Sequence, residues 1–231
     1  MNTLQTTIIN LLESGWQKNP AMTTLLNDYI QGHLIVAVLG GIFAVLLFGF
    51  GTYTLVRLIQ SRKLMRRKWT LVQKTQLSLT VISSFVGMLM GLIAMINTLT
   101  ALSPIEGFSS IAKTTAISMT SPVGQALLEW IDSGSQSIPA ALEQKVNNRT
   151  AWQQPKAIVS WVLLGLFGLL GFYIWRGLIM QSNVGRWYTK GILLTSGAFA
   201  MTACCLLMVI AVANTANGFA PLAISVFGAG G

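Results

Sequence analysis

The chain has 231 residues, of which 53% are hydrophobic and only 9% are charged, and its mean hydropathy is +0.64. Soluble domains carry about 25% charged residues, so this composition predicts an integral membrane protein and makes a typical soluble enzyme a poor fit. The two cysteines, Cys204 and Cys205, are adjacent, which excludes a disulfide-rich secreted scaffold. The net charge of +9 would suggest nucleic-acid binding in a soluble protein; here its meaning depends on where the cations lie.

Four apolar segments are long enough to cross a membrane, which takes about 20 helical residues. They lie near 34–56, 77–99, 157–175 and 191–212, and none contains Asp, Glu, Lys or Arg. Pumps and proton relays usually carry ionisable groups within the membrane, so these spans argue against an ion-coupled pump. The sequence therefore predicts an all-α membrane protein with four transmembrane helices.

The cations are concentrated in two links between spans. The links after the first and third spans hold ten cations and no acid, whereas the N-terminal, central and C-terminal segments hold five cations and all six acids. Lys and Arg are retained on the cytoplasmic side, so we expect both links inside and both termini outside. The N-terminal segment lacks the pattern of a cleavable signal, and we expect it to cross without one.

The densest basic cluster lies in the first link and comprises Arg62, Lys63, Arg66, Arg67 and Lys68. One interpretation is a topology determinant that contacts anionic lipid headgroups, where each cation contributes about 1 kcal/mol. The other is a docking site for a cytoplasmic partner or for nucleic acid, although only Trp69 is interleaved with the cations.

The chain contains an internal repeat. Ser14-Gly15-x-Gln17-x-x-Pro20-Ala21 recurs without a gap as Ser133-Gly134-x-Gln136-x-x-Pro139-Ala140. We expect two tandem repeats, 1–119 and 120–231, each with outer amphipathic helices on the membrane surface and a transmembrane hairpin. In each repeat, a first helix ends at the glycine and a second helix begins at the proline. In the first repeat, Asn19 can cap the helix that begins at Pro20. Two hairpins in the same orientation predict a pseudo-twofold axis along the membrane normal.

No catalytic, cofactor or metal-binding constellation is present in the sequence pattern. The single histidine, His33, lies at the outer edge of the first span, and we interpret it as an interfacial residue. Asn97 and Asn214 occupy equivalent outer ends, where they could cap helices, bond across the repeat axis or line a pore. Glycines along the spans favour packing between helices of this chain, with contact to neighbouring subunits as the alternative.

Three features carry a resemblance to a known family. They are Gln17-x-x-Pro20 before a glycine-rich span, Gly51-x-Tyr53-x-x-x-Arg57 before the basic link, and the C-terminal stretch Ser225-Val226-Phe227-Gly228-Ala229-Gly230-Gly231. Together they resemble the small inner-membrane components of type IVB secretion and IncI-type conjugation systems, the Dot/Icm-like proteins of the IcmC and IcmD kind. Type IV pilins share the topology of a hairpin with a basic inner turn.

The resemblance implies a non-enzymatic scaffold or channel-forming subunit of a bacterial secretion or conjugation complex. It also implies a location in the inner membrane, where the two outside termini would lie in the periplasm. Its expected partners are membrane lipids and other membrane subunits, in a homo- or hetero-oligomer, with direct contact to nucleic acid left open. The alternative function is a stand-alone channel or transporter for ions or small molecules.

Overall fold

The computed structural model describes residues 3–64, 69–114, 121–180 and 187–228. Within these ranges the chain is helical and contains no strand, which confirms the all-α prediction. Eight α-helices and one short 3-10 turn (Trp16–Lys18) follow one another: α1 Thr3–Ser14, α2 Pro20–Leu64, α3 Leu71–Leu102, α4 Pro104–Thr114, α5 Pro122–Ser133, α6 Ala140–Met180, α7 Trp187–Phe219 and α8 Pro221–Phe227.

Four of these helices are long and apolar enough to span a membrane, as predicted. The qualifying segments are Pro20–Gln60, Gln73–Leu102, Ala140–Leu178 and Gly191–Phe219. The protein is thus a multi-pass membrane protein by the length and composition of its helices.

The first and third spans are much longer than the sequence pattern indicates. α2 has 45 residues and α6 has 41, so each is about 60 Å long, roughly twice the thickness of the hydrocarbon core. The prediction that the second outer helix of each repeat is separate from the span is therefore wrong, because the two form one continuous helix. The first outer helix of each repeat, α1 or α5, is separate. α2 contains no proline after its first residue, and α6 remains helical through Pro155.

The predicted helix boundaries at the repeated motif are confirmed. Gly15 and Gly134 are the two described residues with positive φ, at 124° and 61°, a conformation that favours glycine just past a helix end. α2 begins at Pro20, and α6 begins one residue after Pro139. The Oδ1 atom of Asn19 accepts a hydrogen bond from the backbone N–H of Met22 at 3.0 Å, so Asn19 is an N-cap of α2.

The chain divides into two compact units. The first, called the core unit, comprises 1–37, 95–157 and 213–231, and the second, called the span unit, comprises 38–94 and 158–212. The main hydrophobic cluster lies in the core unit, where Leu4 and Ile8 of α1 and Leu127 and Ile131 of α5 are at most 1% exposed. The sequence predicts that α1 and α5 bury their apolar faces in the membrane surface; in the structure these faces pack against protein.

The span unit contains closely packed pairs of helices. A Cβ atom added to Gly40 would lie 3.5 Å from Ala94, and one added to Gly87 would lie 3.2 Å from Leu47. The partners run in opposite order along the two helices, so α2 and α3 are antiparallel. In α6 and α7, Gly171 faces Ala200 at 3.7 Å. At these positions the interpretation of glycines as packing residues within the chain is confirmed.

Candidate functional site

Most of the basic cluster predicted to contact lipid or a partner lies outside the described residues. Arg62 and Lys63 belong to the last turn of α2, whereas Arg66, Arg67 and Lys68 fall between 64 and 69, beyond the described ranges. The proposed role of these five cations therefore stays a prediction.

The core unit contains a cavity of about 360 Å³ between α2, α4, α8 and the ends of α3 and α7. Most of its lining is apolar, and the polar side chains that reach it are Asp28, Tyr29, His33, Asn97 and Asn217. Binding sites for small molecules are commonly apolar cavities with a few convergent polar groups. What this cavity can do depends on how these groups are already bonded.

His33 is joined to Asn97 across the cavity. The Nδ1 atom of His33 donates to Oδ1 of Asn97 at 2.6 Å, which links α2 to α3. The ring of Tyr29 meets the imidazole edge-on at a centroid distance of 4.4 Å. The bond of Asn97 to His33 is not among the roles that the sequence left open for this residue.

Asp28 binds the start of α8. Its Oδ2 atom accepts a hydrogen bond from the backbone N–H of Ala223 at 2.8 Å, and the residue before α8, Ala220, offers no side-chain cap of its own. Asp28 thus supplies from α2 the acceptor that the first turn of α8 needs. Sequence reasoning missed this role because the two partners are 195 positions apart.

Three aromatic side chains of the cavity lining pack against one another. Tyr29 packs edge-on against Phe108 of α4, and Phe108 packs edge-on against Phe227 of α8, with centroid distances of 5.5 and 5.1 Å. These contacts and the two hydrogen bonds hold α2, α3, α4 and α8 together. In the described part of the chain, no three His, Cys, Asp or Glu side chains lie close enough to hold a metal ion. The hydrogen bonds and ring contacts of the cavity residues join four helices, which is a structural role for these residues.

The second half of the chain has a similar link in the core unit. The Nε2 atom of Gln154 in α6 donates to the carbonyl oxygen of Gly218 in α7 at 3.3 Å. Like His33 and Asn97, these partners are 64 positions apart. The first bond connects α2 to α3, and the second connects α6 to α7.

The spans themselves expose most of their apolar surface. The most apolar windows of the four spans are only 17–33% buried, and Val45, Leu102 and Phe199 are examples of side chains more than 65% exposed. Six glycines of the described spans have no atom within 4 Å of the position that a Cβ would take: Gly41, Gly49, Gly165, Gly168, Gly177 and Gly191. Packing within the described chain does not account for glycine at these positions.

No protein-family model, curated protein sequence or solved structure matches this chain.

Proposed function

We propose that the protein is a non-enzymatic structural or channel-forming subunit of a bacterial inner-membrane complex of the type IV secretion or conjugation class. In this proposal it associates with lipids and with other membrane subunits, as a homo- or hetero-oligomer. The observation that carries the proposal is the exposed span surface with its unexplained glycines.

Glycine within a helix is unfavourable by about 1 kcal/mol relative to alanine. Small residues at the surface of a membrane helix allow the backbone of a neighbouring helix to approach closely. Contact with lipid chains alone gives no such reason for a small residue. Gly41 and Gly49 on α2, and Gly165 on α6, have open space at their Cβ positions. Contact with further membrane helices accounts for such glycines.

We further propose that the chain is two tandem hairpin repeats, 1–119 and 120–231, in the same orientation. The antiparallel contacts within α2 and α3 and within α6 and α7 support the hairpins. The repeat is supported by Ile8 and Leu127, which occupy equivalent places in the motif register and are both buried in the same cluster. The asymmetry of charge supports cytoplasmic basic links and periplasmic termini.

The proposal predicts assemblies larger than the 25.0 kDa chain. The protein is extracted from native membranes in a mild detergent after crosslinking, and the mass of the complex and its components are measured. We expect complexes that contain other membrane subunits, further copies of the chain, or both. Gly41→Leu and Gly165→Leu should each reduce their yield, because leucine blocks close helix approach.

Leu92→Phe is the control, since it adds bulk at an exposed position of α3 that is not a glycine. A uniform mass of one chain with no crosslinked component would contradict the proposal, and so would complexes that tolerate both leucine variants as well as the control.

A further inference from the structure

The span unit contains a second cavity, called here the inner groove, that the structural role above does not use. Its volume is about 730 Å³, and all four long helices contribute to its lining. This volume is within the range of about 300–1,000 Å³ that is typical of ligand sites. Apolar side chains form most of the wall, among them Leu47 of α2, Phe167 of α6 and Met208 of α7.

Two arginines lie at the groove, Arg57 of α2 and Arg176 of α6. Each is the first cation of one of the two predicted basic links, so the prediction places both at the same end of the spans. Arg57 is held by Tyr53, whose hydroxyl oxygen accepts from Nε at 3.2 Å and whose ring lies 5.5 Å from the guanidinium carbon. The two arginines thus place positive charge at one end of an apolar groove.

The sequence of the span unit offers these arginines no counter-charge. The ranges 38–94 and 158–212 contain no Asp and no Glu. A cation beside low-dielectric surface is stabilised by a nearby anion. An anionic ligand is therefore the natural complement of Arg57 and Arg176.

Two further polar groups of the groove are unsatisfied among the described residues. Ser83 of α3 is fully buried, and its Oγ has no hydrogen-bond partner; the buried Oε1 of Gln76, also on α3, has none either. Buried polar atoms are nearly always hydrogen-bonded. An occupant with an acceptor for the Ser83 hydroxyl and a donor for the Gln76 carbonyl would satisfy both.

We propose that the inner groove binds an anionic phospholipid of the phosphatidylglycerol type. The phosphate lies at Arg57 and Arg176, and one acyl chain fills the apolar part beside Leu47 and Phe167. An ester carbonyl accepts from Ser83, and a glycerol hydroxyl donates to Gln76. Basic pockets between membrane helices on the cytoplasmic side are a known way of recognising lipid headgroups.

The test measures lipid retention by native mass spectrometry. The full chain is delipidated in detergent and then incubated with mixed micelles of either dioleoyl-phosphatidylglycerol or dioleoyl-phosphatidylcholine. We expect retention of the anionic lipid to exceed that of the zwitterionic lipid by at least about tenfold, and Arg57→Gln and Arg176→Gln each to weaken it about fivefold. Lys74→Gln is the control, because it removes an exposed cation of α3 that does not line the groove.

A second pair of variants tests the acyl chain independently of charge. Gly168 and Gly165 are three residues apart on α6, and both have open space at the Cβ position, but only Gly168 lines the groove. Gly168→Trp should abolish retention, whereas Gly165→Trp should leave it unchanged.

Equal retention of the two lipids, or equal effects of Arg57→Gln and Lys74→Gln, would overturn the proposal. Retention that survives Gly168→Trp would overturn it as well. If the groove instead took a helix of a second copy, Gly168→Trp would reduce the dimer fraction without changing lipid retention, which would also refute lipid binding. The proposal of a multi-subunit complex does not depend on these results.

Discussion

The polar residues around the core-unit cavity act as connectors between helices. Asp28 binds the first turn of α8, and His33 binds Asn97 of α3. Each bond is between residues far apart in the chain, and each contributes on the order of 1 kcal/mol net. The sequence around Asp28 and around His33 does not indicate which residue each one binds. The polar side chains of α2 therefore stabilise the core unit by binding α3 and α8.

Gly107 of α4 is a residue whose smallness the structure requires. A Cβ atom added there would lie 2.5 Å from the Tyr29 hydroxyl oxygen and 3.0 Å from Cγ2 of Thr100. Tyr29 is buried between His33 and Phe108, so it has little freedom to move. We expect Gly107→Ala to lower the free energy of unfolding by about 1–2 kcal/mol, since overpacking outweighs the gain in helix propensity.

Thermal unfolding of the protein in detergent checks this expectation. Gly177→Ala is the matched control, because a Cβ at this α6 position meets open space and alanine should leave Tm unchanged or raise it. Equal Tm values for the two variants would show that Gly107 is not constrained by Tyr29.

At the scale of helices, Asn19 joins the two halves of the chain. While its Oδ1 caps α2, its Nδ2 donates to the carbonyl oxygen of Ile131 at 2.7 Å, near the C-terminal end of α5. One side chain thus satisfies both an N-terminal donor and a C-terminal acceptor. The corresponding position in the second copy of the motif is Ile138, which cannot form such bonds.

Replacement of Asn19 separates these two functions. Asn19→Ala should lower the free energy of unfolding by about 2 kcal/mol, because it removes the cap and the bond to α5. Asn19→Ser should fall between Asn19→Ala and the native protein, since serine can cap α2 but is too short to reach Ile131 as well. Asn10→Ala, at an exposed position of α1, is the control. The explanation fails if serine and alanine are equally destabilising in thermal unfolding.

The sequence predicts helices and their ends better than it predicts what their faces contact. Gly15 and Pro20 end and begin helices for local reasons, so both boundaries are visible in the sequence. The continuity of α2 and α6 is not, because a helix can continue beyond an apolar span when no residue breaks it. The burial of α1 and α5 against protein also depends on residues distant in the chain, and their amphipathic pattern is equally compatible with a lipid surface. The inner groove is hidden from sequence reasoning for the same reason, since Arg57 and Arg176 come together only through tertiary packing.

At the scale of the whole molecule, the distribution of charge predicts how the chain is threaded through the membrane. Gln17 and Gln136 occupy the same place in the repeated motif, and both are exposed. If the repeats are parallel, these two positions lie on the same side of the membrane, which we expect to be the periplasmic side. Arg66 in the first basic link and Asn183 in the second should both lie on the cytoplasmic side.

Labelling with a membrane-impermeant thiol reagent tests this arrangement. Cys204 and Cys205 are first replaced by alanine, and each of Gln17→Cys, Gln136→Cys, Arg66→Cys and Asn183→Cys is then made singly. In intact spheroplasts we expect the two glutamine positions to react and the other two to react only after the membrane is opened. Opposite accessibility of Gln17 and Gln136 would exclude parallel repeats, because a same-sense pair of hairpins must place equivalent positions on one face. Labelling of the Arg66→Cys variant in intact spheroplasts would show that the chain has the opposite orientation. The basic links would then lie on the side of the membrane where such links are rarely found.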